Sequence, residues 1–324
     1  MREEIMVSIN CITYNQEAYI SEAIESFLMQ KTNFKYEILI HDDASTDNTP
    51  SIIKEYEEKY PHIIKPIYQK ENKYSKGIKV AYEYNVKRAK GKYIAICEGD
   101  DYWIDPYKLQ KQVDYMELNP RCTLCIHEVE LIDAISKKST GFIKPYNYSA
   151  KCCIEDMITR GGGFVGTNSL LFPRKIFGNP PEWYLNCPVG DYPMQLFLTY
   201  KGYAYYMNEN MSAYRTNAKN SWTEQMCAAK VEKWVKLMDD INVMLDKFNN
   251  FSNKQYNTVI CKTKKRNEFE KALVKVDLQT LKSHEFKEMY SNLDIQIKIK
   301  LLIKRRFPYY KKIVKLLRGK LQNE

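Results

Sequence analysis

The run Ile5-Met-Val-Ser-Ile-Asn-Cys-Ile12 is mostly apolar, with Ile5, Val7, Ile9 and Cys11 on one alternating face, and reads as a buried strand. Asn15 is placed to cap a helix from Gln16, whose apolar face would run Ile20, Ala23, Ile24, Phe27 and Leu28. The same alternation returns at once. Tyr36 to His41 reads as a strand, Thr49 as an N-cap with Pro50 at the first helical position, and Ile63 to Tyr68 as a third strand. Ile78 to Arg88 then reads as helix and Tyr93 to Cys97 as strand. A helix follows Asp105-Pro106 to about Asn119, and Thr123 to Leu131 is a further strand.

Strands alternating with helices of this length predict an α/β fold. Its mostly parallel central sheet would be flanked by helices, because parallel neighbours need crossover connections. The rhythm weakens beyond Leu131. Gly161-Gly162-Gly163 with Gly166 marks a loop, Ser169 to Phe172 a short strand, and Pro193 to Tyr200 a helix after Gly190-Asp191. From about Trp222 the pattern is almost wholly helical, with Trp234, Leu237, Met238, Ile241, Met244 and Leu245 at helical spacing.

Composition narrows the picture. The 324 residues are 44% hydrophobic, enough for a substantial core. No stretch approaches the roughly 20 apolar residues that span a bilayer, and Met1 to Ile5 leads into a strand instead of a signal segment. These features point to a cytoplasmic protein. The nine cysteines are odd in number and partly set in apolar runs, as reduced buried thiols would be; Cys122, Cys125 and His127 are read that way and not as a metal knuckle. Net charge is +10, and the segment from Gln296 onward holds ten Lys/Arg against one acid. Apolar residues interleaved with those cations over 297–321 suit a helix lying on anionic lipid. The expected place is the inner face of the cell membrane, with no nucleic-acid partner.

Candidate chemistry falls at the strand ends, where ligands sit in such sheets. Asp42-Asp43 follows the second strand, and Asp100-Asp101 follows the fourth after Glu98-Gly99. Adjacent carboxylates on a loop form a hard-oxygen site for Mg²⁺ or Mn²⁺ that leaves positions open for diphosphate and water.

Three segments, in this order and spacing, resemble the inverting family-2 glycosyltransferases of the GT-A fold: Val7 to Asn15, Ile40-His41-Asp42-Asp43-Ala44-Ser45-Thr46-Asp47, and Glu98-Gly99-Asp100-Asp101. The resemblance covers roughly residues 5–222. It implies a GT-A domain over 1–222, with a Rossmann-like nucleotide-binding half (1–120) and an acceptor half (121–222), followed by a basic helical extension over 223–324. Under the same resemblance Tyr14 stacks on the base of a UDP-sugar and Asp43 reads its polar edge. Asp100 lies near ribose and metal, Asp101 binds the metal, and Glu98 stands where many relatives carry an Asp. Asp191 becomes the general base that deprotonates an acceptor hydroxyl, the acceptor being a glycan or lipid-linked glycan of a surface polysaccharide. The loop holding Gly163 resembles the family's acceptor-side loop, a plain turn being the alternative; Trp103 and Trp183 read either as acceptor-side residues stacking on sugar faces or as core. One departure stands out: after Tyr214-Arg215-Thr216, Asn217 occupies a place where the family has a metal-approaching His.

Two other readings use the same residues. A sugar-phosphate nucleotidyltransferase would carry a Gly-rich phosphate loop after its first strand, and Ile12-Thr13-Tyr14-Asn15 is not one. A non-catalytic basic membrane- or nucleic-acid-binding protein would not need Asp43, Asp101 and Asp191 together. Dehydrogenase and hydrolase signatures are absent.

Overall fold

A computed structural model describes residues 4–221, 223, 224, 226 and 230–306. Its centre is a ten-stranded sheet. Strands β1 (Ile5–Thr13), β2 (Lys35–Asp42), β3 (Ile64–Tyr68) and β4 (Tyr93–Ile96) form a parallel block in the order β3-β2-β1-β4. Helices α1 (Ile20–Leu28) and α2 (Thr49–Lys59) make its crossovers. Val7, Ile9 and Cys11 of β1 pack with Ile20, Ala23, Ile24 and Phe27 of α1 in one fully buried cluster. Each of the Val, Ile and Phe side chains contributes roughly 1.5–3 kcal/mol on leaving water. The opposite face of β1 is polar but satisfied. Ser8 Oγ donates to Glu37 (2.6 Å), and the Asn85 amide donates to Asn10 Oδ1 (2.8 Å) and to the carbonyls of Cys11 and Leu39.

The rest of the sheet is mixed. After β5 (Tyr102–Trp103) and α3 (Lys108–Leu118) come β6 (Cys122–Asp133), β7 (Ser139–Ile143), β8 (Ala150–Cys152), α4 (Ile154–Arg160), β9 (Leu171–Pro173), α5 (Asp191–Tyr200) and β10 (Tyr203–Thr216). The order continues β4-β9-β6-β10-β5, with β9 antiparallel to β4 and β6, and β10 parallel to β6.

Several local expectations shift. Asn15 does not cap α1, which begins at Ile20; it adopts φ 52° and its side chain serves another loop. The Ile78–Arg88 helix is a single wide turn over Ala81–Val86 with π-type hydrogen bonding, a form that recurs at functional sites.

The helical extension is not a separate unit. Helices α6 (Val231–Phe251) and α7 (Asn257–Lys275) insert Met244, Leu245, Phe248 and Ile260 into the same core as Leu196, Phe197 and Trp183 of the acceptor half. A last helix, Ile295–Arg306, buries Leu301 in a small cluster with Phe269 and Phe286. No helix among the described residues is long and apolar enough to cross a membrane. The expected interfacial segment 297–321 lies outside the described residues beyond Arg306, as does Trp222.

Candidate active site

The loop after β1 and the loop after β2 are laced together at the carboxyl edge of the sheet. Asn15 N donates to Ser45 Oγ (2.8 Å), Gln16 N to Thr49 Oγ1 (2.9 Å) and Glu17 N to Asp47 Oδ2 (3.1 Å). In return Thr46 N donates to Asn15 Oδ1 (2.7 Å) and Asn48 N to Glu17 Oε2 (2.9 Å). The polar residues of Ala44–Asp47 therefore hold the Tyr14 loop, leaving Tyr14 half-buried at its crest. Asn15 and Ala44 are in the left-handed region (φ 52° and 66°), a strain that such cross-bracing over-determines.

Asp43, 3% exposed, accepts from the backbone N–H of Lys73 (2.8 Å) and of Tyr74 (2.9 Å). It thus anchors the segment that follows β3, and its remaining lone pairs are what a base edge could engage. Beneath it sits His41, stacked on Tyr84 (4.7 Å between centroids) with Nε2 4.0 Å from Asp43 Oδ1. Burial pushes the His41 imidazole down to about 4, so it is neutral at pH 7. Sequence reasoning passed over His41; an imidazole inside an apolar strand directly before Asp-Asp was the available signal.

Across the first loop lies the turn Glu98 to Asp101. Gly99 N donates to Ile12 O (2.9 Å), and a β-carbon on Gly99 would come within 2.5 Å of Gln16 Oε1 and 2.8 Å of Thr13 Oγ1. Only glycine lets the acidic turn approach the Tyr14 loop this closely. Asp101 is 1% exposed; its Oδ1 accepts from Arg215 N (2.9 Å), while its buried Oδ2 has no hydrogen-bond partner. Arg215 steadies the turn further. One guanidinium nitrogen donates to Asp100 O (2.6 Å) and another pairs with Glu22 of α1, while the plane lies over the Tyr102 ring at 4.3 Å.

Burial, with mutual repulsion, pushes the Asp101 carboxyl well up; burial pushes Asp100 up too, and burial with the Asp100 and Asp191 charges takes Glu98 to about 8. Among the described residues no three His, Cys, Asp or Glu side chains converge to hold an ion alone. The donor set nevertheless fits a Mg²⁺- or Mn²⁺-like ion held by one or two carboxylates and completed by diphosphate and water. The orphaned Asp101 oxygen is its natural ligand. Asn217, at φ 58°, closes β10, and its amide nitrogen donates to Asp133 Oδ2 (2.5 Å).

A pH dependence follows. A carboxyl whose folded pKa is raised holds its proton longer than in the unfolded chain, so it stabilises at low pH and that contribution is lost as pH rises through the folded pKa. For Glu98 the window runs from about 4.5 to about 8. The chelator-treated protein should therefore melt at lower temperature at pH 8.5 than at pH 5.5, and Mn²⁺ should recover most of the loss at pH 8.5. Calorimetric melting across that range, with and without Mn²⁺, checks it; a flat metal-free profile would refute the clustering.

Asp191 opens α5 half-buried, its carboxylate receiving the Tyr192 N–H. A β-carbon on Gly162 would lie 3.2 Å from Asp191 Oδ2, so the Gly161–Gly163 turn runs directly along this carboxylate. Burial pushes Asp191 up, and its charge is among those that raise Glu98. Gly163 is exposed beside it.

The two tryptophans are corrections. Trp103 is 1% exposed, edge-on to Phe27 (4.9 Å), with Nε1 donating to Asn168 O (2.9 Å) and Lys108 Nζ 4.1 Å from its ring. Trp183 is 8% exposed among Phe197, Phe248 and Phe251. Both are core residues whose faces are covered, so neither offers a platform to a sugar. Cys122 and Cys125 are buried free thiols, as expected.

Comparison with known proteins bears on the family and the fold. The pattern described as glycosyl transferase family 2 matches residues 8–154. Over that stretch the chain belongs to glycosyl transferase family 2. An uncharacterized protein of Mycobacterium tuberculosis is 37% identical over 220 residues, 67% of this chain and 60% of the relative, so the match spans well under two thirds of that protein's length. The Bacillus subtilis protein TuaG, whose name provisionally assigns it to teichuronic acid biosynthesis as a glycosyltransferase, is 29% identical over 71% of this chain and 86% of its own. In fold, the chain matches S. aureus TarS residues 1–349 in complex with UDP-GlcNAc, with a TM-score of 0.61 and 15% identity over 87% of this chain and 78% of that one. It also matches the Pyrobaculum calidifontis mannosyltransferase PcManGT in complex with GDP-Man and Mn²⁺, with a TM-score of 0.51 and 13% identity over 94% and 88%. The fold is therefore GT-A-like, a mixed and mostly parallel sheet with C-terminal helices.

Proposed function

We propose that this family member transfers a sugar from a nucleoside-diphosphate sugar, a UDP-sugar by preference, to a hydroxyl of a glycan acceptor, inverting the anomeric centre. The observation that supports the reading is the acidic turn, with its unpartnered Asp101 oxygen, packed on the Tyr14 loop beside Asp43; the Asp191 carboxylate, bordered by a glycine turn, bears electrostatically on Glu98 of that turn. Tyr14 stacks on the base and Asp43 accepts from its imide N–H, which suits uracil. Asp101, with Asp100, would hold Mn²⁺ or Mg²⁺, which when bound offsets charge on a departing diphosphate. Glu98 and Asp100 border the ribose and the donor sugar. Asp191 takes the acceptor proton; its upward shift by burial makes it a better base than an exposed aspartate.

Surface-polysaccharide assembly is the pathway class this reading favours, supported by the relative named for teichuronic acid. The work would be done at the inner membrane face. Ile297, Ile299 and Leu302 of the last described helix are exposed beside Lys298 and Lys300, and ten Lys/Arg follow Gln296 in sequence. Vesicles containing anionic lipid should sediment the full chain at 0.1 M salt and retain less of a chain ending at Arg306; equal retention would remove the membrane from the reading.

Calorimetric titration with UDP, GDP and CDP, each with and without Mn²⁺, tests the function. Metal-dependent, UDP-selective binding is the expected result. GDP selectivity would reassign the donor, and no nucleotide binding would defeat the transferase reading.

A further inference from the structure

Lys79 has no part in the chemistry so far, yet it joins the two halves of the site. It lies half-buried at the end of the segment that Asp43 tethers through the N–H groups of Lys73 and Tyr74. Its Nζ crosses to the acceptor half, donating to the Val189 carbonyl (2.8 Å) and to the Cys187 carbonyl. Those carbonyls belong to the stretch that leads into Asp191, two residues beyond Val189. The Tyr184 ring centroid stands 5.8 Å from the same ammonium.

Two of the three ammonium N–H bonds are thus spent on backbone, which a lysine waiting for a ligand would not need. A carbonyl pair offers partial negative charge, so the cation is compensated without quenching the nearby carboxylate. The stretch it grips leads through Gly190 into a helix whose first residue is Asp191, so a small backbone rotation there swings the carboxylate. Nothing about Lys79 resembles a surface lysine.

We propose that Lys79 is the positioning residue for Asp191: it pins the Cys187–Val189 backbone to the nucleotide-binding half and so holds the Asp191 carboxylate where an acceptor hydroxyl must arrive. This rests on the assignment of Asp191 as general base. Because the same segment is tethered to Asp43, the tie also runs from the base-reading residue to the acceptor side. The charged or titratable groups around Asp191 are Glu98 from the acidic turn, Tyr74 and Lys79 from the tethered segment, and Tyr184 and Cys187 from the stretch before it.

The test compares the unaltered chain with Lys79→Met and Lys79→Arg, using UDP with Mn²⁺ for binding and release of UDP from a UDP-sugar for turnover. Lys79→Met should keep UDP affinity and donor KM within about twofold while kcat falls about 10- to 100-fold, the scale of a misplaced catalytic group. Lys79→Arg, which can still reach both carbonyls, should restore kcat to within about threefold. Hydrogen exchange supplies a readout independent of activity: in Lys79→Met, amides of 187–192 should exchange at least about tenfold faster while those of β1 stay unchanged. Unchanged kcat, a parallel loss of UDP affinity and kcat, or unchanged exchange at 187–192 would each overturn the proposal. Absence of turnover and nucleotide binding in the unaltered protein would instead overturn the transferase reading, and the exchange result would still decide whether Lys79 holds the loop.

Discussion

Replacing Asp101 by Asn should abolish metal-dependent turnover, lowering it by about 10³-fold or more, while leaving the melting temperature unchanged or raised. The two expectations come from different atoms of one side chain. Oδ1 accepts the Arg215 N–H, and an asparagine oxygen accepts it equally well, so the tie between the acidic turn and β10 survives. Oδ2 is buried without a partner, and its charge is opposed by Asp100 and Glu98. Removing that charge relieves a destabilising cluster in the metal-free protein and removes the best oxygen for a divalent ion. Turnover of a UDP-sugar with Mn²⁺, measured beside a thermal melt, separates the effects. Turnover within threefold of the unaltered protein would take Asp101 out of the mechanism, and a large drop in melting temperature would show that its role is structural.

That argument depends on where the acidic turn sits, and its placement was legible from the chain. Tyr93 to Ile96 is uniformly apolar because the strand is buried on both faces, so the acids after it had to lie at a strand end. β1 and β2 were readable from their apolar stretches, although each also buries polar residues, Ser8 and Asn10 in β1 and Glu37 in β2. In the acceptor half β6, β9 and α5 were legible too, and what escaped was β7, β8 and β10. β10, the longest strand at 14 residues, interrupts its alternation with Asn208-Glu209-Asn210, where its register against β6 shifts. No period-2 pattern survives that insertion. The nearby strands β7, on β6, and β8, on β10, are only five and three residues long, too short for periodicity to register.

Side-chain direction was the other blind spot. Asp100-Asp101-Tyr102-Trp103 are consecutive, but β5 alternates, so Trp103 turns inward against Phe27 and Lys108 while Tyr102 stays half-exposed under Arg215. A tryptophan beside an acidic motif invites a sugar-stacking role that the pleat denies it. Ser45 and Asp47 show the converse: read as part of a family motif, they fix the backbone of the Tyr14 loop, as does Thr49, read as a helix cap. Motif spacing locates such residues without saying which touch ligand and which hold the ones that do.

Asp191 is where this distinction matters most, because a carboxylate opening a helix could serve either end. An aspartate there interacts favourably with the helix N-terminus, so a structural role alone would cost the Asn variant some stability and little else. The geometry argues for more. Gly162 leaves no side chain between the turn and Oδ2, Lys79 holds the preceding backbone, and burial raises the carboxyl toward the range useful to a base. Asp191→Asn should therefore bind UDP with Mn²⁺ within about twofold of the unaltered chain and melt within a few degrees of it. Transfer should fall by about 10² to 10⁴-fold, the contribution usual for general-base catalysis. Asparagine keeps the shape, the Gly162 contact and an oxygen for the Tyr192 N–H, losing only the capacity to take a proton. Titration calorimetry and transfer rates measured on the same preparation give the answer: binding kept with transfer lost assigns the base, whereas a matched loss of both would return Asp191 to the scaffold and leave the acceptor proton to another group on this face, Glu98 first among them.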